Sequence, residues 1–183
     1  MQALNFKNLR HFTVPLKIIL VYVGWKVLHH FLSLPGSPLY TGWQSLTATA
    51  GHWYAQAASV VLSAGGLQSV AEGININLLA SNRQIYVQEH CLAIPAMVIF
   101  TGVVLSFAGK AGAKARFIAL GLLGIVLINI LRLVFVSITW VYCSERFFEI
   151  NHSYIYVIVT YSFIFAMLAR YIKGAVKAEV AAG

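Results

Sequence analysis

Apolar residues in this chain come in long runs, and polar residues gather where the runs stop. Val14 to Leu34 ends at the breaker Pro35-Gly36-Ser37-Pro38, and Leu92 to Phe107 ends at the basic stretch Gly109–Arg116. Phe117 to Trp140 ends at the polar loop Tyr142–His152, and Ser153 to Ile172 is followed by Lys173 and Lys177. A helix of about 20 residues crosses about 30 Å of hydrocarbon. The pattern therefore predicts four membrane spans, at about 14–34, 92–108, 117–140 and 153–172.

Two stretches follow other periods. In Ser45–Ala64, the polar residues His52, Gln56, Ser59 and Ser63 recur at spacings of four and three. Trp53, Tyr54, Ala57, Val60, Val61 and Ala64 fall on the opposite side. A helix divided in this way lies in the membrane interface more readily than it crosses; a span whose polar stripe faces the bundle is the rival reading. From Gly73 to His90, Ile74, Ile76 and Leu78 alternate with Asn75 and Asn77, and Ile85-Tyr86-Val87 follows the polar tip Ser81-Asn82-Arg83. That alternation predicts two short strands, which open backbone edges keep out of lipid. The expected fold class is an all-α integral membrane protein. It has about four transmembrane helices, an outer-surface amphipathic helix at 45–64 and a short two-stranded β segment within 73–90, in one domain over 1–183.

Composition supports this class. Of 183 residues, 60% are hydrophobic and 10% charged, and the mean hydropathy is +0.78. A soluble domain of this length cannot bury so much apolar surface. The formal net charge of +8 sits at the ends of apolar runs rather than on one face. That placement is the mark of membrane topology, not of nucleic-acid binding. Lys17 and Lys26 interrupt the first run, and no small-residue cleavage site ends it, so it reads as a retained span rather than a signal peptide. With Lys7, Arg10, the 110–116 loop and the 170–177 tail on the cytoplasmic side, both termini are inside. The segments 35–90 and 142–152 then face outward.

Candidate chemistry collects at that outer side. Cys91 stands where the polar run Gln88-Glu89-His90 meets the apolar run. Arg132 lies about eight residues inside the end of the 117–140 span, about 12 Å deep by helix rise, with Asn129 on the same helix face. A charge at that depth is costly and is commonly tied to function, although a snorkelling arginine bonded to carbonyls is the structural alternative. Cys91 reads either as a thiolate nucleophile favoured by a nearby arginine, as a small core residue, or as a bridge partner of Cys143. His152 opens the last span, and His90 adjoins Cys91. Each histidine taken alone also reads as an interfacial polar residue. Glu89 and Glu149 are the acids nearest this group. Two cysteines and six scattered histidines offer no persuasive metal-ligand spacing, and no phosphate loop or dinucleotide fingerprint occurs; no cofactor and no metal is expected.

The order Val87-x-Glu89-x-Cys91, Asn129-x-x-Arg132 and His152, each at or in a separate predicted span, resembles the exosortase/archaeosortase family of membrane-embedded cysteine transpeptidases. The likeness covers about residues 65–172, and Ala93 stands where that family commonly has glycine. The resemblance implies Cys91, Arg132 and His152 as catalytic residues, with Asn129, Glu89 and His90 in support. It implies cleavage of a C-terminal sorting signal at the outer face of the cytoplasmic membrane, and transfer of the new C-terminus to an acceptor. The substrate would be a secreted protein carrying a short motif, a transmembrane helix and a basic tail, and the acceptor a lipid or glycan. A non-enzymatic membrane scaffold, assembly factor or transport subunit is the alternative. It treats the three residues as unrelated.

Overall fold

The computed structural model describes residues 6–107, 109–150 and 155–181. In chain order the elements are α1 (Phe6–Ser33), α2 (Tyr40–Ala64), β1 (Ser69–Glu72), β2 (Asn75–Leu78), β3 (Arg83–Tyr86), a 3₁₀ turn (Glu89–Cys91), α3 (Ile94–Leu105), α4 (Ala111–Tyr142), α5 (Glu145–Ile150) and α6 (Tyr156–Ala181).

The helices α1, α3, α4 and α6 form a bundle whose contacts rest on small residues facing large ones. Gly121 of α4 receives the Phe100 ring of α3, Gly124 of α4 receives Phe163 of α6, and Gly102 of α3 receives Val21 of α1. Glycine at these positions lets backbones approach, the usual means of packing helices in lipid, where water drives nothing together. Phe100, Val103, Val104 and Ile125 are fully buried in the resulting core, with Phe107, Ile164 and Leu168 around them.

A second core lies between α2, the sheet and the C-terminal half of α4. It contains Ala55, Ala58, Leu62, Ile76, Leu78, Val87, Cys91, Leu92 and Leu133. The sheet is antiparallel in the order β1-β2-β3, with Ser69 opposite Leu78 and Ile76 opposite Ile85. Its alternation places Ile76 and Leu78 against α2. Cys91 and Leu92 belong to this second core, while Ala96, one helical turn on, belongs to the first. The turn carrying Cys91 therefore sits at the seam between the two cores.

Several sequence expectations are revised. The β segment has three strands, not two. The added strand, Ser69–Glu72, buries Ser69 rather than a large apolar residue, so it has no hydrophobic alternation to read. The amphipathic helix is longer than expected, 40–64, and part of its polar stripe, with Ser59 buried, faces the sheet. Ser59 Oγ donates to Ser69 O at 2.9 Å, Ser63 Oγ to the same carbonyl at 3.3 Å, and His52 Nδ1 to Gly73 O at 2.9 Å. Strand ends supply carbonyls that a stripe of donors can satisfy, whereas Trp53 and Val60 on the apolar side remain 67% and 70% exposed. The predicted span 92–108 is realised as the 12-residue helix α3, about 18 Å long by helix rise. Among the described residues, three helices are long and apolar enough to cross a membrane: Pro15–Ser33, Ala111–Tyr142 and Tyr156–Gly174. The loop after α4 carries the short helix α5.

Candidate active site

The 3₁₀ turn is closed by Cys91 N–H donating to Gln88 O at 2.8 Å and Leu92 N–H donating to Glu89 O at 3.0 Å. Two residues after Cys91, Ala93 adopts φ 54° and ψ 22°, a left-handed conformation. A Cβ makes that region costly by about 1–2 kcal/mol. Glycine is therefore the residue this bend favours. From the bend, Pro95 opens α3, where its missing N–H costs no helical bond.

Cys91 is 3% exposed. Asn129, itself buried, donates through Nδ2 to the Cys91 carbonyl, and so fixes the turn to α4. The Tyr54 hydroxyl of α2 is buried toward the Asn129 side chain and makes no well-formed hydrogen bond among the described residues. Arg132 lies on the same face of α4, within electrostatic range of the Cys91 sulfur.

In front of this pair is a polar cleft of about 380 Å³ between α3, α4 and α6. His90, Asn129, Arg132, Tyr156, Thr160 and Tyr161 line it, with Ala93, Pro95, Ala96 and Val157, and among the described residues no carboxylate does. Tyr156 donates from Oη to Leu131 O at 3.0 Å, which holds the start of α6 against α4 beside Arg132. An apolar groove of about 890 Å³ adjoins the cleft. It runs between α1 and α6 across Ile99 of α3, and Val157 and Tyr161 line both spaces.

The structure thus brings Cys91, Asn129 and Arg132 together and puts His90 on the cleft wall. Glu89 is turned away from the cleft, toward His29 and Trp43. His152 lies outside the described residues, as does the Glu149 side chain. Cys91 and Cys143 are both free, the first buried and the second exposed, so the bridge considered from sequence is not formed. Sequence reasoning missed Tyr156, Thr160 and Tyr161. Tyr156 and Thr160 stand one helical turn apart in the first turns of the last run, a polar spacing that could have singled them out. The partners of Glu89 were missed as well, because His29 and Trp43 are far from it in sequence. Among the described residues, no group of three or more His, Cys, Asp or Glu side chains comes together as a metal site.

An apolar bundle with a donor-rich cleft let into one side, backed by a buried thiol and a guanidinium, defines a multi-pass membrane protein with an embedded polar site. The chain matches the family described as transmembrane exosortase over residues 3–170, and it belongs to that family. At the level of the family, this is a membrane protein-sorting transpeptidase acting on secreted proteins with C-terminal sorting signals. No curated protein and no solved structure matches the chain.

Proposed function

We propose that the protein is a cysteine transpeptidase that cleaves a C-terminal sorting signal and passes the new C-terminus to an acceptor, with Cys91 as nucleophile. The observation that carries this reading is the hydrogen bond by which Asn129 of α4 holds the Cys91 backbone, with Arg132, one turn further on the same helix face, within electrostatic range of the sulfur. The thiolate attacks the scissile carbonyl, and Arg132 stabilises first the sulfur anion and then the oxyanion. Collapse breaks the C–N bond, the leaving amine takes a proton, and a thioester remains. An acceptor hydroxyl or amine then attacks the thioester, gives up its proton to the base and regenerates the thiol. By family resemblance the proton carrier is His152; His90, on the cleft wall, is the nearest described imidazole able to assist.

Depth favours the same arrangement. Taking the Lys17 and Lys110 level as the inner boundary, the 12-residue α3 raises Cys91 by about 18 Å of about 30 Å, leaving it about 12 Å below the outer edge. Arg132 follows Asn129, which bonds the Cys91 carbonyl, by three residues, about 4.5 Å of helix rise. Thiol and guanidinium then share one level, reached through the cleft rather than from open water. The substrate's transmembrane helix lies along the apolar groove between α1 and α6, and the segment before that helix enters the cleft at Val157 and Tyr161. In this reading α2 and the sheet are extracytoplasmic, both termini are cytoplasmic, and the site faces outward in the cytoplasmic membrane. The acceptor is a membrane lipid or glycan.

Co-expression with a tagged protein ending in a motif, a membrane helix and a basic tail tests the proposal. Cys91→Ala is expected to leave the tagged protein at full length. Processing at the parent rate in Cys91→Ala would remove the nucleophile assignment.

A further inference from the structure

Glu89 opens the 3₁₀ turn that ends in Cys91, yet it takes no part in the cleft. Its Oε1 lies 2.5 Å from His29 Nε2 of α1, and its Oε2 accepts from Trp43 Nε1 of α2 at 3.3 Å. The His29 ring packs with Trp25 at 5.4 Å and with Trp43 at 5.8 Å between centroids, and both tryptophans are buried. Ser33 Oγ, one turn along α1, is 3.4 Å from the same His29 nitrogen. The carboxylate is therefore seated in an aromatic box with a donor on each oxygen.

The same helix α1 is tied to the other end of α3. Lys17 Nζ donates to Ser106 O at 2.9 Å and lies over the Phe107 ring at 4.3 Å. Between the two ties Gly102 admits Val21; a Cβ there would stand 2.6 Å from Val21 Cγ1. The twelve-residue step from Lys17 to His29 matches the 12 residues of α3, about 18 Å in each case. Helix α1 runs beside α3 as a splint with one polar tie at each end.

We propose that Glu89 is a positioning residue: through His29 and Trp43 it fixes the turn that holds Cys91 at the level of Arg132. It touches no reacting atom and acts through the Cys91 backbone. Its consequence for turnover rests on the reading of Cys91 as nucleophile, but the clamp itself does not. Hydrogen bonds to an ionised carboxylate are about twice as strong as neutral ones. Removing His29 leaves a half-buried carboxylate short of a donor and lets the turn move away from α1.

The test uses the full chain with Cys143→Ser, so that Cys91 is the one thiol, and follows its alkylation by N-ethylmaleimide in detergent. His29→Leu and Glu89→Ala should label about tenfold faster than the parent, the factor that loss of about 1.4 kcal/mol corresponds to. His29→Gln keeps an N–H within reach of Oε1 and should restore the parent rate to within about twofold. Glu89→Gln keeps the side-chain volume and should label faster than the parent at unchanged membrane yield, which separates release of the turn from misfolding. With a sorting substrate, kcat should fall in His29→Leu while KM holds. Parent-rate labelling in His29→Leu, alongside faster labelling in Asn129→Ala, where the other tie on the turn is cut, would overturn the clamp. Failure of His29→Gln to restore the rate would overturn it too. If Cys91→Ala instead leaves sorting intact, the nucleophile reading fails and the labelling rates still decide the clamp.

Discussion

The two cysteines of this chain occupy opposite kinds of place. Cys143 caps the end of α4 in extended conformation, exposed, with its N–H bonded to Thr139 O at 3.0 Å. Cys91 is buried at the seam of two cores, held by Asn129 from α4, by its own turn, and through Glu89 by α1 and α2. Exposure alone would select Cys143 as the reactive thiol. The proposed nucleophile is nevertheless Cys91, because a fixed backbone and a guanidinium within electrostatic range favour a thiolate. In that proposal the substrate reaches it from the cleft beside it.

Substitutions can break this contrast. The largest effect expected is on sorting: Cys91→Ala should lower processing by about a thousandfold or more, whereas Cys143→Ser should leave it unchanged, read as the ratio of processed to full-length tagged substrate. Next comes Arg132→Met, which removes the charge while keeping much of the length. Processing should fall by about 10²–10³-fold with the protein still folded, the loss typical of an oxyanion donor.

A third prediction concerns the thiolate. In a Cys143→Ser background, Arg132→Met should slow maleimide labelling of Cys91 at neutral pH, since a nearby guanidinium favours the thiolate. A rate unmoved by that substitution would separate the two groups. The smallest effect is at the bend: Ala93→Gly relieves a left-handed alanine and should stabilise the folded protein by roughly 0.5–1 kcal/mol, seen as a higher Tm in detergent.

The long runs carried most of the architecture into the sequence, because a continuous apolar run of about twenty residues has few other meanings. The short elements were less legible. Strand β1 is specified by Ser69 meeting Ser59 across ten residues, a polar pairing without hydrophobic period. Helix α3 is shorter than its apolar run because Cys91 and Leu92 turn into the second core before the helix starts. The part of the α2 polar stripe that faces the sheet depends on carbonyls from strands that pattern alone could not place beside it. At the site, Asn129 and Arg132 were legible from their spacing and depth. Glu89 was legible as part of a motif, but its partners on α1 and α2 come from tertiary contact, and the contribution of Tyr156 depends on how α6 meets α4.

The central claim is that the buried thiol forms the covalent intermediate. Rapid acid quenching of the full chain, mixed with a tagged sorting substrate, followed by peptide mass measurement, tests it directly. The account predicts a thioester-linked substrate fragment on the peptide containing Cys91, released by hydroxylamine and missing in Cys91→Ala. A fragment on the Cys143 peptide, or processed substrate accumulating in Cys91→Ala, would contradict it.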